Sequence, residues 1–147
     1  HLDVSPNHAH AISDLFKVFV TNLTSQTLVI SQNPLDLELP NTLLRPDCMI
    51  TALDAYKGES GQISHPKPYK VLLLIEIAQD SLVYDQVDKL KIYAKHGIRE
   101  YWIADLNSQT WFVYQEPRGE DYMVKLTYTF GTAFAPLAFP DVAKAWL

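Results

Sequence analysis

The 147-residue chain has a single cysteine, Cys48, so no disulfide can close within it and no thiolate cage can hold a metal. That usage points to a reducing cytoplasm as the expected compartment. No apolar run approaches the roughly 20 residues that a membrane span requires, and nothing resembling a signal peptide is visible. With only five glycines, the chain has no Gly-x-Gly-x-x-Gly turn, phosphate-binding Walker loop or Gly-x-Ser-x-Gly elbow. Dinucleotide, nucleoside-triphosphate and serine-hydrolase chemistry therefore lack their expected motifs. No pair of histidines has zinc-site spacing, and of His8, His10, His65 and His96 most read as surface residues. Positive charge is short as well. Twelve Lys and Arg against seventeen Asp and Glu leave a formal net charge of −5, unlike the basic surface of a nonspecific polyanion binder. Carboxylates that bind a divalent metal would inflate that negative sum, so a nuclease is not excluded.

At 48% hydrophobic and 20% charged, residues 1–147 have the composition of one ordinary globular domain. The chain opens at His1 with Leu-Asp-Val-Ser-Pro, and native residues upstream of it are expected. Ile12, Leu15, Phe16, Phe19, Val20 and Leu23 recur at helical spacing and predict an amphipathic helix over about 7–24. Short strands are expected at 28–30 and 47–51, with period-two alternation at 33–40 between them. Residues 53–69, with Gly58, Gly61, Pro66 and Pro68, read as a loop. A strand follows at 70–77. Val83, Val87, Leu90 and Ala94 then mark a second helix over 81–96, stopped by Gly97. Three strands, 99–106, 110–115 and 122–130, are separated by turns at Asn107-Ser108 and Pro117-Arg118-Gly119, and a short helix is expected at 141–146. This order describes a mixed sheet flanked by helices, of α/β or α+β class.

Within that pattern Glu76 stands out as the only charge in the apolar run from Val71 to Ile77, which reads as a strand buried on both faces. A buried charge needs a partner or a metal, although a strand-end glutamate reaching solvent is the bland alternative. Asp47, behind Pro46 at the head of a neighbouring strand, is either a turn residue or a second carboxylate for the same pocket. Hard oxygen donors of this kind suit Mg2+, with Mn2+ as a substitute. On the second helix Asp85, Lys89 and Tyr93 fall four residues apart on one ridge, a spacing equally typical of an exposed ion pair. Trp111, Tyr114 and Tyr122 are either core residues or a surface for self-association as a homodimer.

Five segments in order, Ser-Pro-Asn-His at 5–8, Arg-Pro-Asp at 45–47, Leu-Ile-Glu-Ile at 74–77, Tyr-Asp-Gln-Val-Asp-Lys-Leu at 84–90 and Gly-Ile-Arg-Glu-Tyr-Trp-Ile-Ala-Asp at 97–105, resemble the Uma-two family of restriction-endonuclease-like nucleases. The likeness runs from about residue 5 to the C-terminus. It implies a fold of the PD-(D/E)xK nuclease superfamily and a Mg2+-dependent endonuclease acting on DNA. In the usual motif a lysine sits two residues after the second acid, where this chain has Ala78. The resemblance therefore implies that Lys89 takes its place, with Asp47, Glu76 and the Ile77 carbonyl as metal ligands and with Asp85 and Tyr93 in support. Related nucleases place a further acid near the first helix, for which Asp3 and Asp14 are the candidates. The acidic balance and the missing strand lysine leave open a catalytically silent nuclease-fold module that binds nucleic acid or protein. A hydrolase of another phosphate ester is a third, weaker reading.

Overall fold

The computed structural model describes residues 6–23, 28–32, 34–37, 44–56 and 65–147. Helix α1, Pro6–Asn22, is followed by β1 Leu28–Ser31, β2 Cys48–Ala52 and β3 Val71–Ala78. A helical run over 82–95, here α2, leads to β4 Glu100–Asp105, β5 Thr110–Arg118 and β6 Asp121–Thr129. The six strands form one sheet in chain order, antiparallel throughout except for the parallel pair β3 and β4, which α2 connects. A parallel pair cannot be joined by a tight turn, so the helix between them must cross over one face of the sheet.

Side chains alternate across a strand, and here both faces are covered. Leu73, Ile75 and Ile77 of β3 join Trp102 and Ala104 of β4 beneath Ala11, Leu15 and Phe19 of α1 and Leu23 just after it. Leu74, Ala78, Tyr101 and Ile103 point the other way, against Leu90, Tyr93 and Ala94 of α2. Double burial explains why β3 reads as an unbroken apolar run. It also means that Glu76, between two residues facing α2, is carried under that helix. Leu15 and Phe19 of α1 and Leu23 just after it are buried as their spacing predicts, whereas Val20 lies outside the stripe and is exposed.

Several sequence expectations are corrected. The stripe on α2 fails in its first half, where Val83 and Val87 are 74% and 44% exposed. The run begins as an α-turn at Leu82–Tyr84, widens into a π-helical segment at Asp85–Lys89 and resumes as α-helix at Leu90–Lys95. A wider turn breaks the 3.6-residue phase, so Asp85 takes a buried position that α periodicity assigns elsewhere. Gly97, at φ 76°, ends the run as expected, and the amide N–H of Ile98 donates to the Tyr93 carbonyl at 3.0 Å. Pro117 and Arg118 belong to β5, and the hairpin turns instead at Gly119-Glu120. The short helix at 141–146 does not form. That segment returns as irregular chain with a bridge between Phe134 and Lys144, because Trp146 must reach the core, where it stacks on Phe19 at 4.6 Å between ring centres. Of the alternation at 33–40, residues 33 and 38–40 lie outside the described residues, and the rest holds a single bridge, Leu35 to Leu44. The loop at 53–69 is bounded by tight helical turns at Leu53–Tyr56 and Pro68–Lys70, and 57–64 lie outside the described residues. Trp111, Tyr114 and Tyr122 are buried, which leaves them no part in a self-association surface.

Candidate active site

Register brings the two acids together. β2 and β3 run antiparallel with Cys48 opposite Ile75, so Asp47, one residue before Cys48, falls beside Glu76. The pairing is tight: the Asp47 amide N–H donates to Glu76 Oε1 at 3.1 Å, and the Ile77 amide N–H donates to Asp47 Oδ2 at 2.7 Å. Each carboxylate is thus held by the backbone beside the other. Glu76 is 2% exposed, so it is not a strand-end residue reaching water.

Helix α2 supplies the cation. Lys89 Nζ lies 2.9 Å from Glu76 Oε2 and 3.3 Å from Asp85 Oδ1, while Ser81 Oγ donates to Asp85 Oδ2 at 2.8 Å. Tyr93 Oη donates to Glu76 Oε2 at 2.8 Å, and Tyr101 Oη donates to the Asp85 carbonyl at 2.9 Å, tying the π-helical segment to the sheet. The ridge Asp85, Lys89 and Tyr93 therefore faces Glu76 rather than solvent. Cys48, beside Asp47, is fully buried, and burial pushes its thiol far above the range in which a reactive thiolate forms.

Sequence reasoning missed His8. It sits in the first turns of α1 with Nε2 2.8 Å from the Ile77 carbonyl oxygen and 3.3 Å from Asp47 Oδ2. Asp14 is exposed on α1, and Asp3 lies outside the described residues, so the described part of the first helix brings an imidazole, not an acid, to the site. The available signal was Ser-Pro-Asn-His: a proline at the first helical position fixes where the helix starts and hence which residue overhangs the strand ends.

The electrostatics are those of a site short of positive charge. Two carboxylates, Glu76 and Asp85, flank one lysine, and a third, Asp47, lies beside Glu76. Burial lifts Glu76 from 4.5 to about 7; Lys89 opposes the rise, and Asp47 and Asp85 add to it. Burial likewise raises Asp85. The two carboxylates draw the Lys89 ammonium upward against burial, and the hydrogen bond to Asp47 draws His8 upward. Tyr93, raised well above its ordinary value chiefly by burial, remains a neutral donor.

Among the described residues no three His, Cys, Asp or Glu side chains stand as a ready-made metal cage. The donors nonetheless fit a hard divalent ion. Asp47 Oδ2 and Glu76 Oε1 each accept one backbone N–H and keep a further lone pair, the Ile77 carbonyl stands beside them, and the charge deficit is of the sign a cation corrects.

These raised acids set a pH dependence. A carboxyl that holds its proton more tightly when folded adds stability that is complete below its unfolded value and is lost as pH climbs through its folded one. For Glu76 that window runs from 4.5 to about 7. Asp85 and His8 shift in the same direction. Thermal melts are expected to show a falling midpoint between about pH 5 and about pH 8. A midpoint that rises across that range would contradict this account of the site.

A mixed sheet with paired carboxylates at the carboxyl end of a buried strand, faced by a helix-borne lysine, defines a protein of restriction-endonuclease-like fold. The Uma2 family model, described as "Putative restriction endonuclease", matches residues 3–145, and the chain belongs to that family. Its fold is similar to a crystal structure titled as a "putative nuclease belonging to DUF820" from Anabaena variabilis, with a TM-score of 0.68 at 18% identity, covering 97% of this chain and 79% of that one. No curated protein matches the chain significantly. Among the described residues no helix is long and apolar enough to cross a membrane.

Proposed function

We propose that the protein is a divalent-metal-dependent endonuclease that hydrolyses phosphodiester bonds in DNA, with Mg2+ or Mn2+ held by Asp47, Glu76 and the Ile77 carbonyl. The observation that carries this reading is the convergence on Glu76 of two other parts of the chain: the Asp47 amide N–H donates to one of its oxygens at 3.1 Å and Lys89 Nζ to the other at 2.9 Å. Family membership supports the nuclease class. When bound, the ion would polarise the phosphoryl oxygen and lower the pKa of a water molecule.

The chain's own residues divide the remaining work. Lys89 keeps its proton, so it acts as a fixed cation that orients water and offsets negative charge building on the phosphate, not as a general base. Asp85 and Ser81 hold the ammonium in place, and Tyr93 fixes the rotamer of Glu76. Plasmid nicking tests the proposal. Wild type is expected to nick supercoiled DNA only with Mg2+ or Mn2+, and Asp47→Ala to lose on the order of a hundredfold or more. Equal nicking by both proteins would assign the activity to a contaminant. A folded wild type that binds no metal at millimolar concentration would favour a silent binding module on the same fold.

A further inference from the structure

We propose that His8 completes the metal site, its Nε2 coordinating the ion together with Asp47 and the Ile77 carbonyl, and that this nitrogen makes the protein prefer Mn2+ to Mg2+. The inference rests on the metal-nuclease reading and deepens it by naming a ligand and the selectivity that follows.

The geometry points there. Adjacent ligands on one six-coordinate ion, with bonds of roughly 2.1 Å, stand about 3 Å apart. His8 Nε2 is 2.8 Å from the Ile77 oxygen and 3.3 Å from Asp47 Oδ2, so two ligand-to-ligand edges already have the right length without any change of fold. In the metal-free arrangement Nε2 can donate a proton toward these oxygens. In the bound state the same nitrogen presents its lone pair, with the ring proton on Nδ1. Placement is built in by α1: Ala11, Leu15 and Phe19 anchor the helix against the sheet, so its first turns overhang the end of β3. Selectivity follows from donor chemistry. Oxygen-only sets suit Mg2+ and Ca2+, and exchanging one oxygen for an imidazole moves a site toward later first-row ions, with Mn2+ the hardest of them.

Pulsed electron paramagnetic resonance of the Mn2+-loaded protein tests the assignment without reference to cleavage. The expected spectrum shows a directly coordinated imidazole nitrogen in wild type and none in His8→Asp, which still binds Mn2+ through oxygen. Calorimetry should show Mn2+ affinity falling about tenfold or more in His8→Ala, and the Mn2+ to Mg2+ preference of His8→Asp should fall below that of wild type. Circular dichroism checks that each variant is folded. Mn2+ bound by wild type with no nitrogen coupling, but lost in Asp47→Ala, would overturn the role of His8 and leave the metal site standing. A folded wild type that binds no Mn2+ would overturn both.

Discussion

Lys89→Met is expected to abolish metal-dependent cleavage, with a fall on the order of a hundredfold to a thousandfold, while also weakening the metal-free fold. The two effects share one cause. Lys89 is the cation within 4 Å of both Glu76 and Asp85, and methionine keeps the length of the side chain but leaves two buried carboxylates facing each other. Removing one partner of a buried ion pair costs about 3–5 kcal/mol. That loss should be largest near about pH 8, where Glu76 must ionise, and should shrink near about pH 5, where Glu76 holds its proton. The double variant Glu76→Gln/Lys89→Met separates the roles: it should recover much of the stability, since an amide can accept from Tyr93, and none of the cleavage. Undiminished nicking by Lys89→Met would remove Lys89 from the chemistry.

The second large effect belongs to the opposite face of the sheet. Trp102, fully buried on β4, packs against Phe134 at 4.8 Å, Trp111 at 5.3 Å, Trp146 at 6.0 Å and Phe19 at 6.1 Å between ring centres. It joins α1, β5 and the C-terminal segment in one aromatic cluster. Trp102→Ala is expected to cost about 3–5 kcal/mol, a large share of the roughly 5–15 kcal/mol by which domains are stable. The thermal midpoint should drop by roughly 10 °C, whereas Val20→Ala on the outer side of α1 should stay within about 0.5 kcal/mol of wild type. On the proposed coordination by His8, which α1 carries, Trp102→Ala should also weaken Mn2+ binding at temperatures where the fold is still intact, a coupling that calorimetry at low temperature would register.

Much of the arrangement of the candidate site was legible in the chain itself. A lone glutamate in a doubly buried apolar strand had to find a cation or a metal, and an Asp, Lys and Tyr at four-residue spacing had to share a helix ridge, since both statements follow from backbone periodicity and from the cost of burying charge. The order of strands and helices as far as β6, and the mixed α and β class of the fold, followed from the same periodicities. What the chain could not disclose were the relations set by packing. Whether the ridge faced Glu76 or water depended on a π-helical segment that local propensity does not encode, and the exposure of Val83 and Val87 was hidden for the same reason. Asp47 met Glu76 only through the antiparallel register of β2 and β3, and His8 entered only because α1 lies across the end of β3, some 69 residues away in sequence. The irregular C-terminal segment gave up a helix to place Trp146 on Phe19, a contact worth more than the few hydrogen bonds of a short exposed helix. Charge, periodicity and burial are properties of a segment and can be read along it; register, crossing and overhang arise between segments and exist only once the chain has folded.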